Sequence, residues 1–187
     1  MIRWTLLFVG AVLLGGIVHF TSIIVLPQTA TRDAYSRLQQ VTKTNTVEPL
    51  SIPTASRPVM PFMDPAFATA ICRYDLSHGP MKLSVPLGPA YTSVSFYTRY
   101  NIAYYVINDQ AAGRRIIELN LMTEEQHDQL PEEENITAAD RLIVDSPTVT
   151  GLVAIRALTP NLGSIDKAMS AVAGAKCQHA DIARASN

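Results

Sequence analysis

The sequence has little charge and few cysteines for its length. Of 187 residues, 17% are charged, and 15 basic side chains nearly balance 16 acidic ones for a formal net charge of −1. Such a balance provides no strongly positive surface to neutralise phosphates, so we expect no nucleic acid as a partner. Two cysteines are too few for a disulfide-dense scaffold or a four-thiolate zinc site.

Motifs for catalysis and cofactor binding are also missing. The chain has no Gly-x-Ser-x-Gly or His-Glu-x-x-His pattern and no glycine-rich phosphate or dinucleotide loop. Its four histidines are scattered, without the sequence spacing of metal ligands. We therefore expect no metal, no cofactor and no catalytic residue, although a triad assembled in space would leave no motif.

The apolar residues are concentrated near the N-terminus. Residues 4–26 contain no Asp, Glu, Lys or Arg, and as a helix they would extend about 34 Å, enough to cross a hydrocarbon core of about 30 Å. We predict a transmembrane helix over residues 4–26. The alternative is a cleaved signal peptide, whose apolar core is shorter, about 7–15 residues, and precedes a small-residue cleavage site that is not clear here.

One face of this helix carries small and polar residues at intervals of four, four and three. Close approach of a second helix is favoured by such residues, so the stripe is a predicted helix-pairing site. A histidine within a membrane is also a candidate functional residue, but we expect it to bind a backbone carbonyl or a water, because the span has no second ionisable group. The stripe consists of Ala11, Gly15, His19 and Ser22.

The rest of the chain is predicted to form a polar stalk over residues 27–60, a β-rich domain over residues 61–178 and a flexible tail over residues 179–187. Alternation of apolar and polar residues, clearest over residues 93–100, indicates about seven strands. Helical spacing predicts a last helix from about Ser164 to Lys176. The expected fold class is α+β, an N-terminal transmembrane helix followed by an antiparallel, sandwich-like domain with a C-terminal helix.

Cys72 and Cys177 lie near opposite ends of the predicted domain, the second at the end of its last helix. Behind a membrane anchor, such a pair is typical of a disulfide that closes the domain. The alternative is two buried free thiols, since free cysteine is often buried. We predict the disulfide.

Five of the seven tyrosines lie within residues 91–105, in one predicted hairpin. Tyrosine and arginine on a sheet face favour recognition, so this hairpin is a predicted partner surface. A small-ligand pocket and a simple amphipathic strand pair are the alternatives. The predicted surface consists of Tyr97, Arg99, Tyr100, Tyr104 and Tyr105.

Several segments resemble the short, membrane-anchored branch of a bacterial family known as domain of unknown function 1254. They are residues 61–67, 72–76, 91–95, 108–109 and 145–158. The resemblance implies a β-rich domain outside the cytoplasm and a separate partner carrying domain of unknown function 1214. It implies no catalytic residue.

Basic residues leave the orientation open, since Arg3 precedes the helix whereas Arg32, Arg37 and Lys43 follow it. The cysteines and the resemblance favour a periplasmic domain. We therefore expect a bacterial inner-membrane protein, single-pass, acting as a non-catalytic subunit of a hetero-oligomer with a second envelope protein. The alternative is an envelope enzyme or a carbohydrate- or lipid-binding protein whose cleft is shared with its partner.

Overall fold

The computed structural model describes residues 1–29, 33–54, 59–61, 63–113, 115–130 and 142–180. The chain divides into two compact units, Met1–Asp33 and Ala34–Asn187. The first unit is one helix, α1 (Ile2–Thr29). Over Ile2–Leu26 it is long and apolar enough to cross a membrane, a test that a signal sequence also passes. The predicted apolar helix is therefore confirmed, and its role as an anchor stays a prediction.

The described part of the second unit has nine strands and four short helices. The strands are β1 (Val47–Pro49), β2 (Phe67–Asp75), β3 (Met81–Pro86), β4 (Thr92–Thr98), β5 (Ala103–Asn108), β6 (Ile116–Thr123), β7 (Leu142–Ser146), β8 (Thr150–Leu158) and β9 (Lys176–His179). The helices are α2 (Ala34–Gln39), α3 (Asp109–Ala112), α4 (Glu124–Asp128) and α5 (Ile165–Ala173), and a 3₁₀ turn over Leu162–Ser164 precedes α5.

The strands form two sheets. One has the order β1-β2-β8-β4-β5 and is antiparallel throughout, and the other has the order β7-β6-β3-β9 with one parallel pair, β6 and β7. The predicted α+β class, with an apolar helix followed by a domain rich in antiparallel strands, is confirmed. A helix near the C-terminus, α5, is also present.

The main core lies where the two sheets face each other. Alternation in β3 buries Met81, Leu83 and Val85, while the residues between them are partly exposed. These side chains share one apolar cluster with buried residues from both sheets, including Tyr74 and Phe96. Two residues of α5, Ala168 and Val172, complete this cluster, as the helical spacing predicts.

A second apolar cluster covers the outer face of the five-stranded sheet, and it corrects the predicted stalk. Tyr35 and Leu38 of α2 are buried there together with Leu50, against Ile71 of β2 and Leu152 of β8. The folded unit thus begins at Ala34, not at residue 61. The segment is mostly polar, so its few apolar residues do not stand out in the sequence. They hold the segment against the sheet because burial removes nearly all their contact with water.

The C-terminal segment also differs from the sequence-based expectation. The last helix ends at Ala173, and Lys176–His179 form β9, which pairs with β3. Cys177 therefore lies in a strand, not at the end of a helix, and His179 belongs to the sheet and not to a tail. Residues 181–187 of the predicted tail lie outside the described residues.

Candidate functional site

Cys72 and Cys177 lie between the two sheets. Cys72 is in β2 and Cys177 in β9, both are buried, and their Cα atoms are 6.4 Å apart at disulfide-bonding distance. The Met81 Sδ contacts both sulfurs, at 4.0 Å from Cys72 and 3.0 Å from Cys177. The predicted pair is thus in place to bond one sheet to the other.

The predicted helix-pairing stripe lies in α1. A Cβ atom at Gly15 would meet nothing within 4 Å, so the helix surface is open there. The Ser22 hydroxyl donates to the Val18 carbonyl at 2.8 Å, which satisfies its donor within its own helix. The His19 ring lies edge-on to the Phe20 ring, with centroids 6.1 Å apart. Pairing of Ala11, Gly15, His19 and Ser22 with a second helix stays a prediction.

The structure separates the predicted partner-surface residues. A register shift in the β4–β5 pairing lets Tyr104 and Tyr105 both contact Phe96, at centroid distances of 6.2 and 5.8 Å. Tyr97 packs on the cluster beneath α2, and the Arg99 guanidinium stacks 4.1 Å from the centroid of Tyr35. Four of the five residues therefore serve internal packing, at least in part.

What remains outside on this hairpin is apolar. Tyr100 is 44% exposed, Ile102 61% and Val106 58%. We call these three residues the hairpin surface. The sequence-based prediction did not include Ile102 and Val106. Alternation predicts which residues lie on the same face of a strand, but it does not predict which of the two faces is buried by the rest of the protein.

The hydroxyl of Tyr104 belongs to a buried polar network. It donates to the Tyr74 hydroxyl at 3.2 Å, which lies 2.9 Å from the Ser146 Oγ and 3.2 Å from the Tyr97 carbonyl. Burial, with a further contribution from Tyr74, raises the pKa of Tyr104 far above its ordinary value. Gly151 passes directly beneath Tyr74, with no space for a side chain. Ser146, at the end of β7, therefore has a structural role as a hydrogen-bond partner of the Tyr74 hydroxyl.

A polar pocket of about 550 Å³ opens where β2 and β9 end. No sequence motif marks it, because its lining comes from three separate segments of the chain. The lining residues are Thr44, Asn45, Asp75, His78, Gln178 and His179.

Asn45 organises this pocket from a left-handed backbone conformation, with φ of 53°. Its Oδ1 accepts from the Asp75 amide at 2.8 Å, and its Nδ2 donates to the Asp75 carbonyl at 3.1 Å. The same Nδ2 lies 3.0 Å from the His179 Nε2. Since an amide nitrogen can only donate, the two atoms form a hydrogen bond in the His179 tautomer whose Nε2 is the acceptor.

His78 lies on the other side of the pocket, its ring centroid 6.4 Å from that of His179. Its Nδ1 is 2.9 Å from the Ser77 Oγ, and the Ser77 amide donates to the Asp75 carboxylate at 2.9 Å. Hydrogen bonds from Ser77, followed by the nearby charges of His78 and Arg73, lower the pKa of Asp75. Asp75 is therefore ionised at neutral pH.

The fourth histidine lies apart from this pair. His127 lies on α4, and its Nδ1 is 3.0 Å from the Oδ1 of Asp145 in β7. Within the residues that the structure describes, no three His, Cys, Asp or Glu side chains are grouped so as to hold a metal ion. Two histidines and one carboxylate, His78, His179 and Asp75, nevertheless line the polar pocket.

Comparison with known proteins places the domain in a family and relates its fold to solved structures. The model of the family described as "Protein of unknown function (DUF1254)" matches residues 44–179. The crystal structure of the VPA0106 protein from Vibrio parahaemolyticus is similar in fold, with a TM-score of 0.58 and 10% identity. That match covers 78% of this chain and 32% of the other, so this chain spans about a third of its length.

A second crystal structure, of an uncharacterized protein from Burkholderia cenocepacia, matches with a TM-score of 0.43 and 13% identity. It covers 62% of this chain and 31% of that one. No curated protein matches the chain.

Proposed function

The chain belongs to the family described as protein of unknown function (DUF1254), and we propose that it is a non-catalytic subunit that docks a second envelope protein. In this proposal α1 anchors the chain in the bacterial inner membrane. The domain that begins at Ala34 lies in the periplasm and binds its partner through the hairpin surface.

The hairpin surface is the observation that carries the docking proposal. Among the described residues β5 is an outer strand of its sheet, so its outward amide and carbonyl groups have no strand neighbour. An outer strand with exposed apolar side chains is prone to unwanted pairing unless another chain covers it. Ile102, Val106 and Tyr100 together supply the apolar and aromatic contact area that interface centres favour.

The family resemblance supports a separate protein as the occupant of this surface. The resemblance to the anchored branch of the family implies a separate partner that carries domain of unknown function 1214. We propose that partner as the occupant.

The cysteine pair supports the periplasmic location. Disulfides persist in oxidising compartments such as the bacterial periplasm and are rare in the cytosol. Cys72 and Cys177 lie buried at bonding distance across the two sheets, where a bond constrains the whole domain.

The helix stripe is the proposed second contact, within the membrane. Gly15→Leu should reduce cross-linking of α1 to a neighbouring helix, because leucine would hold the two backbones apart. Gly10→Leu is the matched control, since Gly10 is equally open but lies about 140° away around the helix. Equal cross-linking of both variants and the unsubstituted chain would remove this contact from the proposal.

The docking experiment is recovery of co-purifying proteins from bacterial membranes in mild detergent, with the full chain as bait. We expect one partner in stoichiometric amount, and a large loss of it with Val106→Lys, because an outer strand tolerates lysine whereas an apolar interface does not. Val41→Lys is the control, since Val41 is 54% exposed and lies after α2, outside the hairpin.

Near-UV circular dichroism would establish that both variants are folded. Recovery of the full chain alone, or equal recovery of the partner with both variants, would contradict docking through this surface.

A second candidate function is favoured by the polar pocket. Its two histidines, one carboxylate and one pinned amide resemble the few placed polar groups of a ligand site. In this alternative the chain is an envelope enzyme or a carbohydrate- or lipid-binding protein. The polar pocket is then part of a cleft that the partner completes. A structure of the complex with the partner seated over Asn45 and His179 would favour this second candidate.

A further inference from the structure

The described strands leave four outer edges, one on each of β1, β5, β7 and β9. An outer strand is a template for pairing with another chain, and natural proteins protect it by short length, charged side chains or proline. Three of the four have such protection. β1 has three residues that include Glu48 and Pro49, β9 has four that begin with Lys176, and β7 carries Asp145.

The fourth outer strand, β5, has neither charge nor proline among its six residues. Its pairing with β4 shifts once in register, between Phe96 and Tyr97 of β4, and an irregularity of this kind can also blunt an edge. The shift is confined to the first end of β5, and residues 105–108 pair with β4 in unbroken register. Among the described outer strands, β5 therefore has the least protected edge.

We propose that the partner docks by strand addition, in which one extended segment of the second envelope protein pairs with residues 105–108. That segment becomes the sixth strand of the five-stranded sheet. The inference rests on the docking proposal and specifies how the partner binds.

The backbone of β5 selects an extended segment as the occupant. In an antiparallel ladder every second residue directs both its amide and its carbonyl group to the same neighbour. Two of the four residues 105–108 therefore bond to β4, and the other two direct their groups away from the sheet. An added strand would make about four hydrogen bonds with them. A helix would not, because its own backbone groups are already paired with each other.

The side chains of β5 specify the chemistry of the added segment. Ile107 packs against the main core, so Val106, which is 58% exposed, lies on the opposite, outer face. An added strand would place a side chain about 4.5–5.5 Å from each of these two residues. A charge beside either aliphatic side chain would lose water without gaining an ionic partner. The partner segment should therefore be uncharged, with apolar residues on both of its faces.

The test is hydrogen–deuterium exchange at the resolution of single residues, measured on the full chain in detergent. The chain is compared alone and in complex with the protein that co-purifies with it. Within residues 105–108, every second amide should exchange at least about tenfold more slowly in the complex, and the amides already bonded to β4 should not change. The amides of Val47 and Glu48 are the control, since β1 is the outer strand at the opposite edge of the same sheet.

The possible results separate strand addition from docking itself. A stoichiometric partner that leaves exchange in residues 105–108 unchanged would overturn strand addition and leave docking in place. Equal slowing of the amides in β1 would also overturn it, because the effect would not be specific to β5. Recovery of the full chain without a partner would overturn both proposals. A complex with the mass of two copies of this chain would overturn a second protein as the occupant.

Discussion

Reduction of the Cys72–Cys177 bond should destabilise the second unit more than any single surface substitution. The bond closes a loop with a sequence separation of 105 residues and joins β2 to β9. The chain-entropy relation gives about 4.7 kcal/mol for a loop of this length at 25 °C, while measured disulfides typically contribute about 2–4 kcal/mol. We therefore expect a loss of about 2–5 kcal/mol in the free energy of unfolding.

The assay is urea unfolding of the full chain in detergent, with and without reductant, followed by near-UV circular dichroism of tyrosine. All seven tyrosines lie in the second unit, whereas the single tryptophan, Trp4, lies in α1 and would report on the wrong unit. The control is the Cys72→Ala/Cys177→Ala variant, whose midpoint should be independent of reductant. An unsubstituted chain whose unfolding midpoint ignores reductant would refute the reasoning.

Two further predictions concern the buried hydroxyl network. Gly151→Ala should lower the free energy of unfolding by at least about 2 kcal/mol, because the added Cβ would overlap the Tyr74 ring. Gly88→Ala is the control, since a Cβ at Gly88 would make only an ordinary 3.6 Å contact. Equal urea midpoints for the two variants would contradict this prediction. The pKa of Tyr104 is raised from 10.0 in the folded chain, so the unfolded chain loses this proton first and stability should fall as the pH rises above about 10. Tyr104→Phe should flatten that decline and Tyr100→Phe should not, as measured by urea unfolding between pH 9 and 11; identical slopes would exclude Tyr104 as the cause.

The parts of the fold that were predictable from sequence are those whose signal is local. An uncharged run of 23 residues, 4–26, indicates its helix by length alone, and alternation over residues 93–100 indicates β4. The final helix is likewise encoded in its own spacing, apart from its end. These signals need no knowledge of what the segment packs against.

The segments that sequence reasoning misplaced depend on distant partners. α2 and β1 carry too few apolar residues to stand out, and they become part of the domain only because β2 and β8 offer an apolar outer face. β9 has four residues and pairs with β3, nearly a hundred positions away, so a preceding helical pattern is readily extended over it. Strand pairing of this kind is decided by tertiary contact and not by local propensity.

The same limit explains why the polar pocket could be located only in the structure. Ligand motifs are recognisable when one helix or loop supplies several ligands, but each pocket histidine stands alone in its own segment. The pairing of Met81 with His179 in the β3–β9 ladder brings the two rings together, since His78 lies three residues before Met81. That register is in turn held by Cys177, the residue paired with Leu83. A bond that stabilises the sandwich therefore also sets the distance between the two imidazoles at the pocket.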